Sequence, residues 1–218
     1  MVKRKRFGRE GVEFGRGLGF LDAIYGFAIT LLVANIDLPP AEAWKSLSTL
    51  LDHGLHAQLL GFVISFVVIA VFWRHNTEIL SRFGSIDSAV ITSNLASAGL
   101  IVLIPFTTQG ISEPEISDYP LPVALYAANV ALAILSQTVT YEVGRARGLL
   151  ATETPPALVL VERIDVIAKV GIFCVSIPVA YLAGPSWGMF TWLLLIPFGM
   201  VMGRWGSRIE RRSEAADA

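Results

Sequence analysis

"RGLGFLDAIYGFAITLLVANIDLPP", residues 16–40, decides how the chain is read. From Ala23 to Ile36 it is apolar enough to cross a bilayer, yet Arg16 and Asp22 stand at its entrance. Hydrocarbon is hostile to an ionised carboxylate, so Asp22 needs partners inside a protein bundle. A secretory signal peptide is the competing reading, because a basic start and "AEA" at 41–43 imitate one. The apolar run is too long and begins too far along the chain for that, and Asp22 interrupts its start.

Working outward, the same character continues. The chain is 54% hydrophobic and only 16% charged, with a mean hydropathy of +0.61, outside the range of ordinary soluble domains. Six apolar stretches lie near 20–38, 55–73, 86–109, 121–141, 160–183 and 187–205. Each approaches the roughly 20 residues that carry a helix across about 30 Å of hydrocarbon. They lack the alternation of barrel strands, so the expected fold is an all-α integral membrane protein with six transmembrane helices. The "AGPS" turn at 183–186 makes the last two an antiparallel hairpin. The expected organisation is a basic N-terminal segment over 1–19, a six-helix membrane domain over 20–205 and a tail over 206–218, with both chain ends mobile. Cys174 is the sole cysteine, which excludes an internal disulfide; its apolar setting points to a buried, inert thiol.

Orientation follows from the basic residues. Lys3, Arg4, Lys5, Arg6, Arg9 and Arg16 precede the first span, and Arg74 and Arg82 flank the second connection. Arg145 and Arg147 open the fourth connection, and Arg204, Arg208, Arg211 and Arg212 follow the last span. The alternate connections hold only Lys45, against Asp37, Glu42, Asp52, Glu113, Glu115 and Asp118. The positive-inside rule therefore puts both termini in the cytoplasm, as an even number of spans requires. The acidic outer connections read either as ordinary solvated loops or as a mouth that concentrates cations.

Polar residues inside the spans carry the functional signal. The first span holds Asp22 and Thr30, the second Ser65 before "FWRHN" at 72–76, the third Asn94, and the fourth Asn129, Ser136, Gln137 and Thr138. The fifth opens with Glu162, Arg163, Asp165 and Lys169, which read either as an interfacial helix start with internal pairs or as a transporter's ion relay. In the first span Phe27, Leu31 and Ala34 follow the spacing i, i+4, i+7 with Thr30 at the shoulder, a stripe that fits core packing or a pore lining. A secondary transporter using the fifth-span cluster is the main alternative, although no repeat relates the halves. His53 and His56 lie near one surface and His75 near the other, so no metal site or cofactor pocket is expected within a subunit. No nucleophile–base spacing or phosphate loop suggests an enzyme. The basic start is explained by topology and membrane lipids rather than by nucleic acid.

Several of these residues together resemble the transmembrane protein 175 family, whose first helix carries an arginine, three residues, then Phe-Ser-Asp, with Thr-Leu-Leu downstream. The matching positions are Arg16, Phe20, Asp22, Ile29, Thr30, Leu31 and Leu32; Leu21 replaces the serine and removes a hydroxyl from the motif. Phe72–Trp73 followed by His75 and Asn76, Asn94–Leu95 ahead of "LIPF" at 103–106, and "ALY" with Asn129 extend the likeness through the first four spans. Bacterial members are six-span potassium channels in the cell membrane that assemble as homotetramers. The resemblance implies a central pore lined by the first helix, permeable to potassium or other monovalent cations, without a carbonyl filter. It places the constriction at Phe27, Leu31 and Ala34, with Thr30 beside it. It makes Arg16, Phe20, Asp22, Trp73, His75, Asn76 and Asn94 a network that locks the cytoplasmic end of that helix.

Overall fold

The computed structural model describes residues 6–217, with side chains through Ile209 except that of Asp52. Lys3, Arg4 and Lys5 and the side chains of Arg211 and Arg212 thus lie outside the described residues. The chain runs β1 (Arg6–Gly8), α1 (Val12–Ala34), a 3-10 turn (Ala41–Lys45), α2 (Leu47–Asp52), α3 (Leu55–Ser81), β2 (Ser85–Asp87), α4 (Ser88–Val102) and α5 (Ile104–Ser112). It continues with α6 (Pro120–Ala146), α7 (Pro156–Ala183), α8 (Pro185–Phe190), a 3-10 turn (Thr191–Leu194) and α9 (Leu195–Asp217). Six segments are long and apolar enough to span a membrane, and the chain is a multi-pass membrane protein.

Helix ends depart from the hydropathy boundaries where polar residues continue the helix. α1 begins at Val12 and carries Glu13 and Arg16 in its first turns; α3 continues through Arg74–Ser81. The third span is two helices, because Pro105 has no N–H for an intrahelical bond; Leu103 and Thr107 bridge the break with 3.3 and 3.0 Å bonds to Leu100 O and Leu103 O. Gly184, at φ 109°, turns the chain from α7 into α8. The expected tails are ordered where they are described: Arg6–Gly8 is a strand, and α9 reaches Asp217.

α6 sits at the centre, between α4, α5 and α7, while α1 packs on α3, α4 and α5. Tyr25, Ala28 and Leu32 of α1 bury against a core that includes Ile69, Phe72, Ile101, Tyr126 and Val130. Several polar groups in this core are tied to one another, as a low-dielectric interior favours. Gln137 Nε2 donates to Tyr25 OH at 3.0 Å and to Phe72 O at 2.9 Å; Thr108 Oγ1 donates to Ser65 Oγ at 2.6 Å, and Ser65 meets Tyr126 OH at 3.2 Å. Cys174, expected to be buried, is instead exposed on the outer side of α7.

At one end the N-terminus and two connections form a small scaffold. β1 pairs antiparallel with β2, and Phe83 bridges to Leu150. Asp87, almost fully buried, caps α4 by accepting from Ala89 N and Val90 N, and forms a 2.6 Å ion pair with Arg147. Phe83 is wholly buried against Gly144; any Cβ there would lie 2.4 Å from the Phe83 ring, so only glycine allows the approach. Because β1 leads directly into α1, this scaffold roots the first helix.

Candidate functional site: the open face of the first helix

α1 uses one side to join the core and leaves the other uncovered. Phe14, Leu21, Tyr25, Ala28 and Leu32 are buried. Opposite them Arg16, Phe20, Ala23, Phe27, Thr30 and Ala34 are all exposed, spaced alternately by four and three residues. That spacing keeps them on one line along the helix. Gly15, Gly19 and Gly26 flank the line, and a Cβ on any of them would meet nothing within 4 Å. Phe27 is 61% exposed and Thr30 donates its hydroxyl to Phe27 O at 2.8 Å. Leu31 is half-buried beside this line, whereas Thr30 is exposed on it.

The network expected at the end of this helix is only partly drawn together within one chain. Asp22 Oδ1 accepts from Trp73 Nε1 at 2.8 Å, which joins α1 to α3. Asn94 Nδ2 donates to Asn76 Oδ1 at 2.8 Å, with both residues buried, which joins α4 to α3. Arg16 and Phe20 point outward, and among the described residues Arg16 has no ion pair. His75 is exposed, with Glu78, Lys169, Arg82 and Asp165 as its charged neighbours. Asp22 is itself exposed in the single chain, at the edge of the open face, rather than enclosed. At the other end of α1, Asn35 Nδ2 donates to Pro105 O at 2.7 Å and Asp37 N to Gln58 Oε1 at 3.0 Å, which fix the helix exit.

Two features went unread in the sequence. One is Tyr25–Gln137, which ties α1 to α6 across 112 positions; no local spacing announces it. The other is the glycine series, whose signal was present: Gly15, Gly19 and Ala23 recur every fourth residue, the spacing of small residues at close helix contacts in membranes.

The charges at the start of α7 resolve into pairs. Glu162 binds Arg82 at 2.7 Å, Arg163 binds Glu142 at 2.9 Å, and Lys169 donates to Asp165. Half-burial works against the Arg82 charge, but Glu162 and Glu78 hold its pKa above the usual arginine value. With every member engaged, the cluster offers no free coupling site, and the transporter reading is not favoured.

A six-span bundle with one mixed polar, small and aromatic helix face left open defines the class: a multi-pass membrane protein. The comparisons agree. Residues 16–105 match the profile of the family described as "Endosomal/lysosomal potassium channel TMEM175". Over 133 residues the chain is 29% identical to a protein of Streptomyces collinus named a potassium channel, covering 60% of this chain and 62% of that one. A potassium channel of Chamaesiphon minutus is 33% identical over 128 residues, 57% of this chain and 62% of that one. The chain thus aligns with 62% of the length of each of these relatives. The crystal structure of a lysosomal potassium-selective channel TMEM175 homolog from Chamaesiphon minutus shares the fold, with a TM-score of 0.66 at 23% identity over 87% of this chain and 98% of that one. The likeness to the TMEM175 family read from the sequence is borne out.

Proposed function

We propose that this chain is a passive, potassium-permeable cation channel. In this reading copies of α1 stand around a shared axis in a homotetramer, and their open faces line the pore. The observation that carries the reading is the composition of that face. Arg16, Gly19, Asp22 and Thr30 make a poor surface for lipid, because charged and polar side chains exposed to hydrocarbon are costly. Water in a pore and glycine-mediated contact between copies suit all of them. The relatives named as potassium channels point the same way.

The mechanism follows from size and polarity. A ring of Phe27 side chains forms an apolar throat that dewets when narrow and passes ions when widened. Thr30, one turn on, keeps its hydroxyl oxygen as an acceptor after donating to Phe27 O, and so offers a cation partial coordination. Ala34 gives a looser level, and Leu31 borders the path from its half-buried position. Asp22–Trp73 and Asn76–Asn94 hold the helix root, while Arg16, Phe20 and His75 face neighbouring copies or solvent. The membrane domain over 20–205 conducts, and the basic end carrying 1–19 and 206–218 lies in the cytoplasm.

Planar-bilayer recording of the purified protein in asymmetric potassium and sodium tests this. Single-channel steps with a reversal potential near that of potassium are expected. Flux that requires a second coupled ion, or no conductance in protein of verified fold, would overturn it.

A further inference from the structure

A cavity of about 570 Å³ opens beside the junction of α6 and α7, at the end of the bundle that holds β1. Its polar lining is charged with both signs: Arg145 from α6, Arg163 from α7 and Glu153 from the connection between them. The two arginines share one carboxylate, Glu142, at 3.4 and 2.9 Å. A single carboxylate leaves one positive charge over, and most of the five N–H donors on each guanidinium remain available. Glu153 has no ion pair among the described residues. The cavity therefore presents a surplus cation and an unpaired anion side by side.

The remaining wall is apolar and leads toward lipid. Val159 is buried at its base, Leu160 is 57% exposed at its edge, and Ile167, two turns further along the same face of α7, is 72% exposed. The volume falls within the roughly 300–1,000 Å³ of small-molecule sites. We propose that this cavity seats the headgroup of an aminophospholipid, its phosphate on Arg145 and Arg163, its primary ammonium on Glu153, and its acyl chains along the Leu160–Ile167 face. Arginine's planar fork suits a phosphodiester, and basic pockets between membrane helices hold lipid headgroups. Glu153 adds selection for a headgroup whose ammonium carries N–H donors, which a quaternary ammonium lacks. The site stands whether or not the pore conducts.

Native mass spectrometry of the delipidated full chain, titrated with phosphatidylethanolamine, phosphatidylglycerol or phosphatidylcholine, tests the proposal. Phosphatidylethanolamine should bind tightest. R145Q/R163Q should weaken it by about tenfold, and E153Q should abolish its preference over phosphatidylglycerol while leaving the latter's binding intact. Both arginines are substantially exposed, so the fold should persist; should R145Q/R163Q fail to fold, the E153Q preference still decides. Equal binding of phosphatidylcholine, or full affinity in R145Q/R163Q, would overturn the assignment. Saturation by soluble glycerophosphoethanolamine at the lipid's concentration would overturn the lipid as its source.

Discussion

α1 and the last span, Pro185–Ile209, are both largely uncovered, with 22% and 6% of their spanning windows buried, yet they expose opposite kinds of surface. The outward side of the last span is Leu193, Leu194, Ile196, Met200 and Val201, a face that hydrocarbon solvates without penalty. The outward side of α1 mixes glycine, arginine, aspartate and threonine with two phenylalanines. Degree of exposure therefore does not separate the two spans. The chemistry of the exposed face does.

The largest effect expected from that contrast is on assembly. Gly19→Leu adds bulk where the single chain has open space, so the subunit should fold, but copies could no longer approach along α1. Gly203→Leu on α9 is equally unobstructed and should leave assembly unchanged. Light scattering in detergent separates the two, and loss of the oligomer in both would erase the distinction. Next, Asp22→Ala should loosen the α1–α3 junction within each subunit by about 2 kcal/mol through loss of the charged bond to Trp73, and so weaken the oligomer with ion preference retained. A fully assembled variant with altered selectivity alone would contradict it.

Conduction gives a smaller but sharper contrast. Phe27→Ala should raise monovalent cation leak by about tenfold, or about 1.4 kcal/mol off the barrier, whereas Ile196→Ala should not change it. Unchanged conductance would remove Phe27 from the throat. The smallest effect concerns acid. Burial pushes the Asp87 carboxyl up, but Arg147 and the N–H groups of Val90 and Ala89 outweigh it and hold it below 3.8. Its contribution is complete above that value and lost as pH falls through the lower folded value. The melting temperature should fall by about 2–4 °C per kcal/mol lost across that acid range, and Asp87→Asn should remove this acid step.

Much of this was legible in the sequence. Six spans follow from apolar length alone, and Asp22, Trp73, Asn76 and Asn94 stand out because polar groups in hydrocarbon demand partners. Helix ends were not legible: Glu13, Arg16 and Thr77–Ser81 are helical but do not register as apolar. The strands at 6–8 and 85–87 are too short for alternation to show. Spacing put Phe27, Leu31 and Ala34 on one stripe, but phase is a tertiary property: Leu31 is half-buried while Thr30 is exposed. Cys174 fails for the same reason, since a lipid-facing position and a core position look alike in an apolar run.

Single cysteines read by a water-soluble thiol reagent during current recording, in a Cys174→Ser background, test the central claim most directly. Thr30→Cys should be modified and the current blocked, while Ile196→Cys should remain unreactive. A Thr30→Cys thiol that reacts only with lipid-dissolved reagent, with the current untouched, would put α1's open face in the bilayer and contradict the account.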